Sequence, residues 1–144
     1  MQIIPMTAAH IAAVAGLEQV CFSQPWSETG LAEELDNPHA VFRVAVEDGT
    51  VVGYVGMHHI LDEGFITNVA VSPSARRRGV ARALLAELTA YGTAHSLYRI
   101  TLEVRVGNMP AITLYEGMGY IRDGVRPGFY SDPTEDAAIY SLYF

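Results

Sequence analysis

Two β-rich runs, Val41 to Val46 and Val51 to Ile60, stand on either side of Asp48-Gly49. Asp-Gly accepts positive φ at both turn positions, which is what a two-residue hairpin between right-twisted strands demands. The spacing therefore predicts an antiparallel pair, around which the rest of the chain must be arranged. A turn at Asp62-Glu63-Gly64 leads into a third apolar run, Phe65 to Val71. Upstream, Thr7 is an N-cap for a helix to about Cys21, with Ile11, Val14, Leu17 and Cys21 at helical spacing. Ser27 caps a second helix through Leu31 and Leu35, and Asp36-Asn37-Pro38 stops it.

Downstream, a long amphipathic helix starts near Gly79, with Val80, Leu84, Leu88 and Tyr91 on one stripe. Ile100 to Val106 reads as a strand. Pro110 to Met118 reads as a helix with proline in its first turn and Gly119 at its end. Two further strands are expected over Tyr120 to Arg126 and Ala137 to Phe144. The order α-α-β-β-β-α-β-α-β-β predicts a mixed α/β or α+β class around one sheet. No linker, repeat or low-complexity stretch divides the chain, so residues 1–144 read as one domain.

Half of the residues are apolar and 17% are charged, which excludes a disordered or fibrous chain. No apolar run approaches the roughly 18 residues that span a bilayer, and the start lacks the basic region of a signal peptide. The single Cys21 has no internal disulfide partner. A soluble cytoplasmic protein with no membrane contact is expected, as a monomer or weak dimer. The net charge is −7 and all nine basic residues are arginine, four of them (Arg76, Arg77, Arg78 and Arg82) close together. An acidic body repels nucleic acid, whereas one local basic cluster suits a small anionic ligand.

That cluster lies where a strand gives way to a helix, in Val69-Ala70-Val71 followed by Arg76-Arg77-Arg78-Gly79-Val80-Ala81. A helix N-terminus carries unpaired N–H groups and about half a positive charge, so cations there are unfavourable by roughly 0.3–1 kcal/mol each. The arrangement makes sense around a bound anion held by backbone N–H groups and guanidinium forks, and equally as a solvated loop offsetting acidic neighbours. It is neither GxxxxGK[ST] nor GxGxxG.

Strand alternation in Ile100 to Val106 sets Thr101, Glu103 and Arg105 on one face. Glu103 and Arg105 can form a surface pair there, Asn108 can cap the following helix, and Tyr115 can pack on it. Taken together, however, Arg76-x-x-Gly79-x-Ala81, Leu102-Glu103-Val104-Arg105, Asn108, Ala111, Leu114-Tyr115 and Gly119-Tyr120 resemble the GNAT superfamily of N-acetyltransferases. Pro25-Trp26-Ser27, Leu61-Asp62-Glu63 and Glu135-Asp136-Ala137 extend the likeness to the RimI-type branch, which acetylates the N-terminal alanine of a small-subunit ribosomal protein.

The resemblance implies a GNAT fold, with a central sheet of six to seven strands splayed into a V between its middle strands and about four flanking helices. It implies acetyl-CoA as cosubstrate, its pantetheine arm along Val69, Ala70 and Val71 and its pyrophosphate on Arg76, Arg77, Arg78, Gly79, Val80 and Ala81. It makes Asn108 a cofactor contact, Glu103 the general base and Tyr115 the general acid. The expected acceptor partner is the N-terminal peptide of a ribosomal protein. The branch usually carries Tyr-Tyr-Pro after a basic residue, where this chain has Phe129-Tyr130-Ser131, so the peptide specificity stays open.

Trp26, Phe129 and Tyr130 are candidate peptide contacts, although Trp26 is also suited to a core. Another protein terminus, a small amine, or a non-catalytic acyl-CoA-binding module are the alternatives. Cys21 reads as a packed thiol. No metal is expected, because His58 and His59 alternate to opposite faces of a strand.

Overall fold

The computed structural model describes residues 1–144, which form a seven-stranded sheet in the order β1-β2-β3-β4-β5-β7-β6. The strands are β1 (Gln2–Pro5), β2 (Ala40–Glu47), β3 (Thr50–Ile60), β4 (Glu63–Val71), β5 (Arg99–Arg105), β6 (Ile121–Tyr130) and β7 (Glu135–Tyr143). The helices are α1 (Ile11–Cys21), α2 (Glu28–Leu35), α3 (Val80–Ala94) and α4 (Met109–Gly117). The mixed α/β class expected from the sequence is the one adopted. Thr7 caps a short 3-10 turn, Ala8–His10, that runs into α1, and Ser27 Oγ accepts from Gly30 N–H at the start of α2.

The central hairpin turns on Asp48 (φ 51°) and Gly49 (φ 77°), both left-handed as the sequence demands. The next turn is tighter than expected. Ile60 opposes Glu63, so Leu61-Asp62 make the turn while Glu63 and Gly64 already belong to β4. β4 also carries a bulge: Met57 opposes Ile66 and Gly56 opposes Asn68, which leaves Thr67 as the extra residue. A bulge bends a strand and increases its twist.

The sheet opens beside that bulge. β4 runs parallel to β5, yet only Glu63–Phe65 pair with Arg99–Thr101. Beyond those residues the strands diverge, while β5 stays paired to β7 along its whole length. This is the V-shaped splay that the resemblance implies.

Two apolar clusters cover the two faces of the sheet. One joins Leu84, Leu85 and Leu88 of α3 and Ile112 and Tyr115 of α4 to Leu102 and Val104 of β5. The other joins Val14 and Leu17 of α1 and Leu31 of α2 to Phe42, Val44, Tyr54 and Ala70. Because successive strand residues alternate, Glu103 faces the α1/α2 side.

Candidate active site

β4 ends after β5 has left it. Ser72 N–H donates to Val52 O on β3 at 2.8 Å, so alternation turns the Val71 N–H and C=O away from β3 and into the splay. There the Val71 carbonyl accepts from Arg76 Nε at 3.3 Å and from the Cys21 thiol at 3.5 Å. Val69 shares the orientation of Val71 by the same alternation. Ala70 is buried in the α1/α2 cluster.

After the short turn Pro73–Ala75, the chain reaches α3 through Arg77 (φ 62°) and Gly79 (φ 80°). A left-handed arginine costs about 1–2 kcal/mol, and such strain concentrates where function needs the shape. Gly79 occupies the N-cap of α3 and has no side chain to satisfy the first-turn N–H groups. An open pocket of about 280 Å³ lies over them, lined by Val71, Arg76, Arg77, the first turn from Gly79 to Arg82, and Pro110 and Leu114 of α4. Uncapped amides, three guanidinium groups and an unpaired strand edge suit a diphosphate with an amide-bearing tail.

Arg78 stands apart from its neighbours. It pairs with Glu47 at the end of β2, and that bond chiefly holds the Glu47 carboxyl below its ordinary range. Asn108 caps α4, its Oδ1 accepting from Ala111 N–H at 3.3 Å. Pro110 and Leu114 join Arg82 of the basic cluster in the pocket lining. Pro110 and Leu114 are ordinary helix residues, and only their side of α4 marks them.

Glu103 pairs with Arg126 at 3.3 Å, whereas Arg105 pairs with Glu135 at 3.2 Å. The neighbouring Glu103–Arg105 pair allowed by the sequence is therefore not formed. Tyr115 is 8% exposed and packs its ring 5.9 Å from that of Tyr120. Burial pushes its phenol up to about 12, with Tyr130 adding to the shift. Tyr130 is itself raised, first by burial and then by the Glu103 carboxylate, while the Arg105 guanidinium 4.5 Å above its ring acts in the opposite sense. Tyr130 is thus the electrostatic neighbour of both Glu103, on the α1/α2 face of β5, and Tyr115, in the cluster on the opposite face.

Trp26 is half-buried with its ring 6.2 Å from that of Phe42, so part of its surface belongs to the core. Phe129 is 47% exposed and stacks edge-on against Tyr130. His58 bonds to Glu34 and His59 to Tyr91, on different elements as alternation requires. No group of three or more His, Cys, Asp or Glu side chains is placed to hold a metal ion.

Residues 11–120 match the family model of the acetyltransferase (GNAT) family. The chain belongs to the GNAT acetyltransferase family. As a GNAT enzyme it is an acetyl-CoA-dependent N-acetyltransferase, and the chemistry of the pocket fits that donor. It is 33% identical over 128 residues to the Escherichia coli K12 ribosomal protein bS18-alanine N-acetyltransferase, covering 88% of this chain and 86% of the relative. It is 33% identical over 138 residues to the N-alpha-acetyltransferase RimI of Mycobacterium tuberculosis, covering 92% and 85%. A crystal structure of the Escherichia coli alanine N-acetyltransferase superposes with a TM-score of 0.91 at 30% identity, over 99% of this GNAT chain and 92% of that one. No helix is long and apolar enough to cross a membrane.

Proposed function

We propose that this GNAT enzyme acetylates the N-terminal α-amine of a protein, the acceptor being the N-terminal alanine of a small-subunit ribosomal protein. One observation carries the reading: an anion pocket at the end of β4 and the Glu103 carboxylate flank the same splay. The similarity to the Escherichia coli ribosomal protein alanine N-acetyltransferase over most of both chains supports the choice of acceptor.

Arg76, Arg77 and the first-turn amides of α3 bind the diphosphate, and Val69 and Val71 supply strand-edge hydrogen bonds to the pantetheine arm. An α-amino group has an ordinary pKa of about 7.7–8.0, so Glu103 has a modest task in taking its proton. The neutral amine attacks the thioester carbonyl, and the N–H of Val71 stabilises the developing oxyanion. The C–S bond breaks, and Tyr115 gives its proton to the departing sulfur.

That last transfer runs from a phenol near 12 to a thiol near 8.5, uphill by about 3.5 units or roughly 5 kcal/mol if taken alone. An ordinary phenol near 10 would face only about 2 kcal/mol. Donation therefore accompanies C–S cleavage and the loss of the amine proton to Glu103. No acyl-enzyme is needed, and Cys21 remains a packed thiol against Val71 O.

The test is an acetylation assay with peptides beginning Ala-Arg, Ser, Met and Lys, alongside free polyamines. Fastest turnover of the Ala-Arg peptide is expected. Preference for a polyamine would replace the protein terminus with a small amine, and preference for Met or Ser would move the acceptor to another terminus.

A further inference from the structure

Glu103 and Arg105 stand two residues apart on one face of β5, about 7 Å along the strand, a gap that an arginine side chain spans. Arg105 nevertheless turns the other way. Its Nη1 donates to Pro133 O at 2.8 Å and to Glu135 Oε1 at 3.2 Å, and its Nη2 donates to Ser131 O at 3.1 Å. Its Cζ lies 4.5 Å from the centre of the Tyr130 ring. All four partners belong to the turn between β6 and β7 or to the residues that flank it.

Of these partners only Glu135 carries a full charge, so it alone competes with Glu103 on equal terms for a cation. Its place is fixed. Oε2 accepts from Gly107 N–H at 2.8 Å, just past the end of β5. That approach needs a residue without a side chain, since a Cβ at position 107 would stand 2.7 Å from Oε2. The Arg105 and Glu135 side chains are each 26% accessible, against 58% for Arg126, so this pair is the less solvated of the two.

The consequence falls on Glu103. Arg105 and Arg126 both oppose Ala137, one from each neighbouring strand, so two guanidinium groups flank the same stretch of sheet. Only Arg126 approaches the Glu103 carboxylate, at Oε1, and 30% of the Glu103 side chain stays accessible. With Arg105 there as well, the carboxylate would be held between two cations. A carboxylate so held is a weaker proton acceptor, and its surroundings repel a cationic amine.

We propose that Glu135 is a positioning residue for the acetyl transfer: it holds the Arg105 guanidinium on the β6–β7 turn and so keeps the Glu103 carboxylate open to the acceptor amine. The proposal deepens the proposed function and rests on Glu103 as its base.

The test uses full-length enzyme, acetyl-CoA and the peptide terminus that it acetylates fastest. Glu135→Gln keeps an acceptor for Gly107 N–H and turns its NH₂ towards Arg105, which frees the guanidinium. It should lower kcat/KM for the peptide about tenfold and leave the KM for acetyl-CoA within twofold. Arg105→Gln should stay within threefold of wild type. The double variant decides, and it should recover to within threefold of wild type because no guanidinium is left to move. A Glu135 that only braced the turn would leave the double variant at least as slow as Glu135→Gln.

Glu135→Asp, one methylene shorter, carries the same expected loss and recovery should the glutamine variant not fold. Wild-type kcat/KM in the Glu135 variants would overturn the proposal. So would a double variant that does not recover, or Arg105→Gln as slow as Glu135→Gln. Glu103→Gln is measured alongside. Full activity there, or no acetylated peptide terminus at all, would overturn the proposed function, whereas loss there with unchanged Glu135 variants would overturn this inference alone.

Discussion

The Arg126 guanidinium reaches from β6 across β7 to lie 3.3 Å from the Glu103 carboxylate of β5. The pair is well exposed on the arginine side, with 58% of that side chain accessible. Exposed pairs of this kind are worth about 0.2–1 kcal/mol, equivalent to at most about fivefold in a rate. Arg126→Ala should therefore change kcat/KM by no more than about fivefold. Glu103→Gln, which removes the proposed base, should cost 10²-fold or more. Steady-state kinetics on the Ala-Arg peptide separate the two, and equal losses would make Arg126 part of the chemistry.

Tyr115→Phe should lower kcat about 10²-fold while acetyl-CoA affinity, measured by calorimetry, stays near wild type. Because the Tyr115 phenol sits near 12, the wild-type rate should show no alkaline decline from loss of this proton between pH 8 and pH 10. A decline centred near pH 9 that vanishes in Tyr115→Phe would contradict the assignment of a buried, high phenol.

The same burial fixes a direction for stability. Tyr54, Tyr115 and Tyr120 all hold their protons more tightly in the folded chain than a free phenol does, chiefly through desolvation. Between about pH 10 and pH 12 the unfolded chain binds fewer protons than the folded one, so stability falls as pH rises through that window. For Tyr115 alone, a rise from 10 to about 12 corresponds to roughly 3 kcal/mol. Tyrosinate absorbance should therefore appear together with loss of far-ultraviolet dichroism for these residues. Full ionisation with the fold intact would contradict the packing described.

Two adjacent arginines should behave differently. Arg77 lines the pocket, whereas Arg78 pairs with Glu47. Arg77→Ala should weaken acetyl-CoA binding about tenfold and reduce its salt dependence. Arg78→Ala should leave binding within twofold and lower the melting temperature only slightly. Binding isotherms at low and high salt decide this, and a stronger effect from Arg78→Ala would place the pyrophosphate nearer the β2 end.

How much of this was legible in the sequence depended on how local each cause is. Asp48-Gly49 declares its turn because two neighbouring residues carry the whole requirement for positive φ. β1 is not legible in the sequence, because Gln2–Pro5 is too short to show a period, ends in proline, and exists through its register with β2. Glu18 was hidden for the opposite reason. It lies beside Leu17 on a helix whose apolar stripe explains itself, and its partners Tyr54 and Asn68 are 36 and 50 residues away. Arg78 likewise reads as one of a cluster until Glu47, 31 residues upstream, claims it. The proposed roles of Glu103 as base and Tyr115 as acid come from resemblance, since alternation alone leaves Glu103 free to pair with Arg105.

Glu103 and Tyr115 stand on opposite sides of a wall of strands whose breach is the parting of β4 from β5. On the proposed function each reactant has its own doorway, the thioester by the α3 side and the amine by the α1 side. Neither has to vacate for the other to enter. The kinetic signature of such a building is a ternary complex, with intersecting rather than parallel double-reciprocal lines.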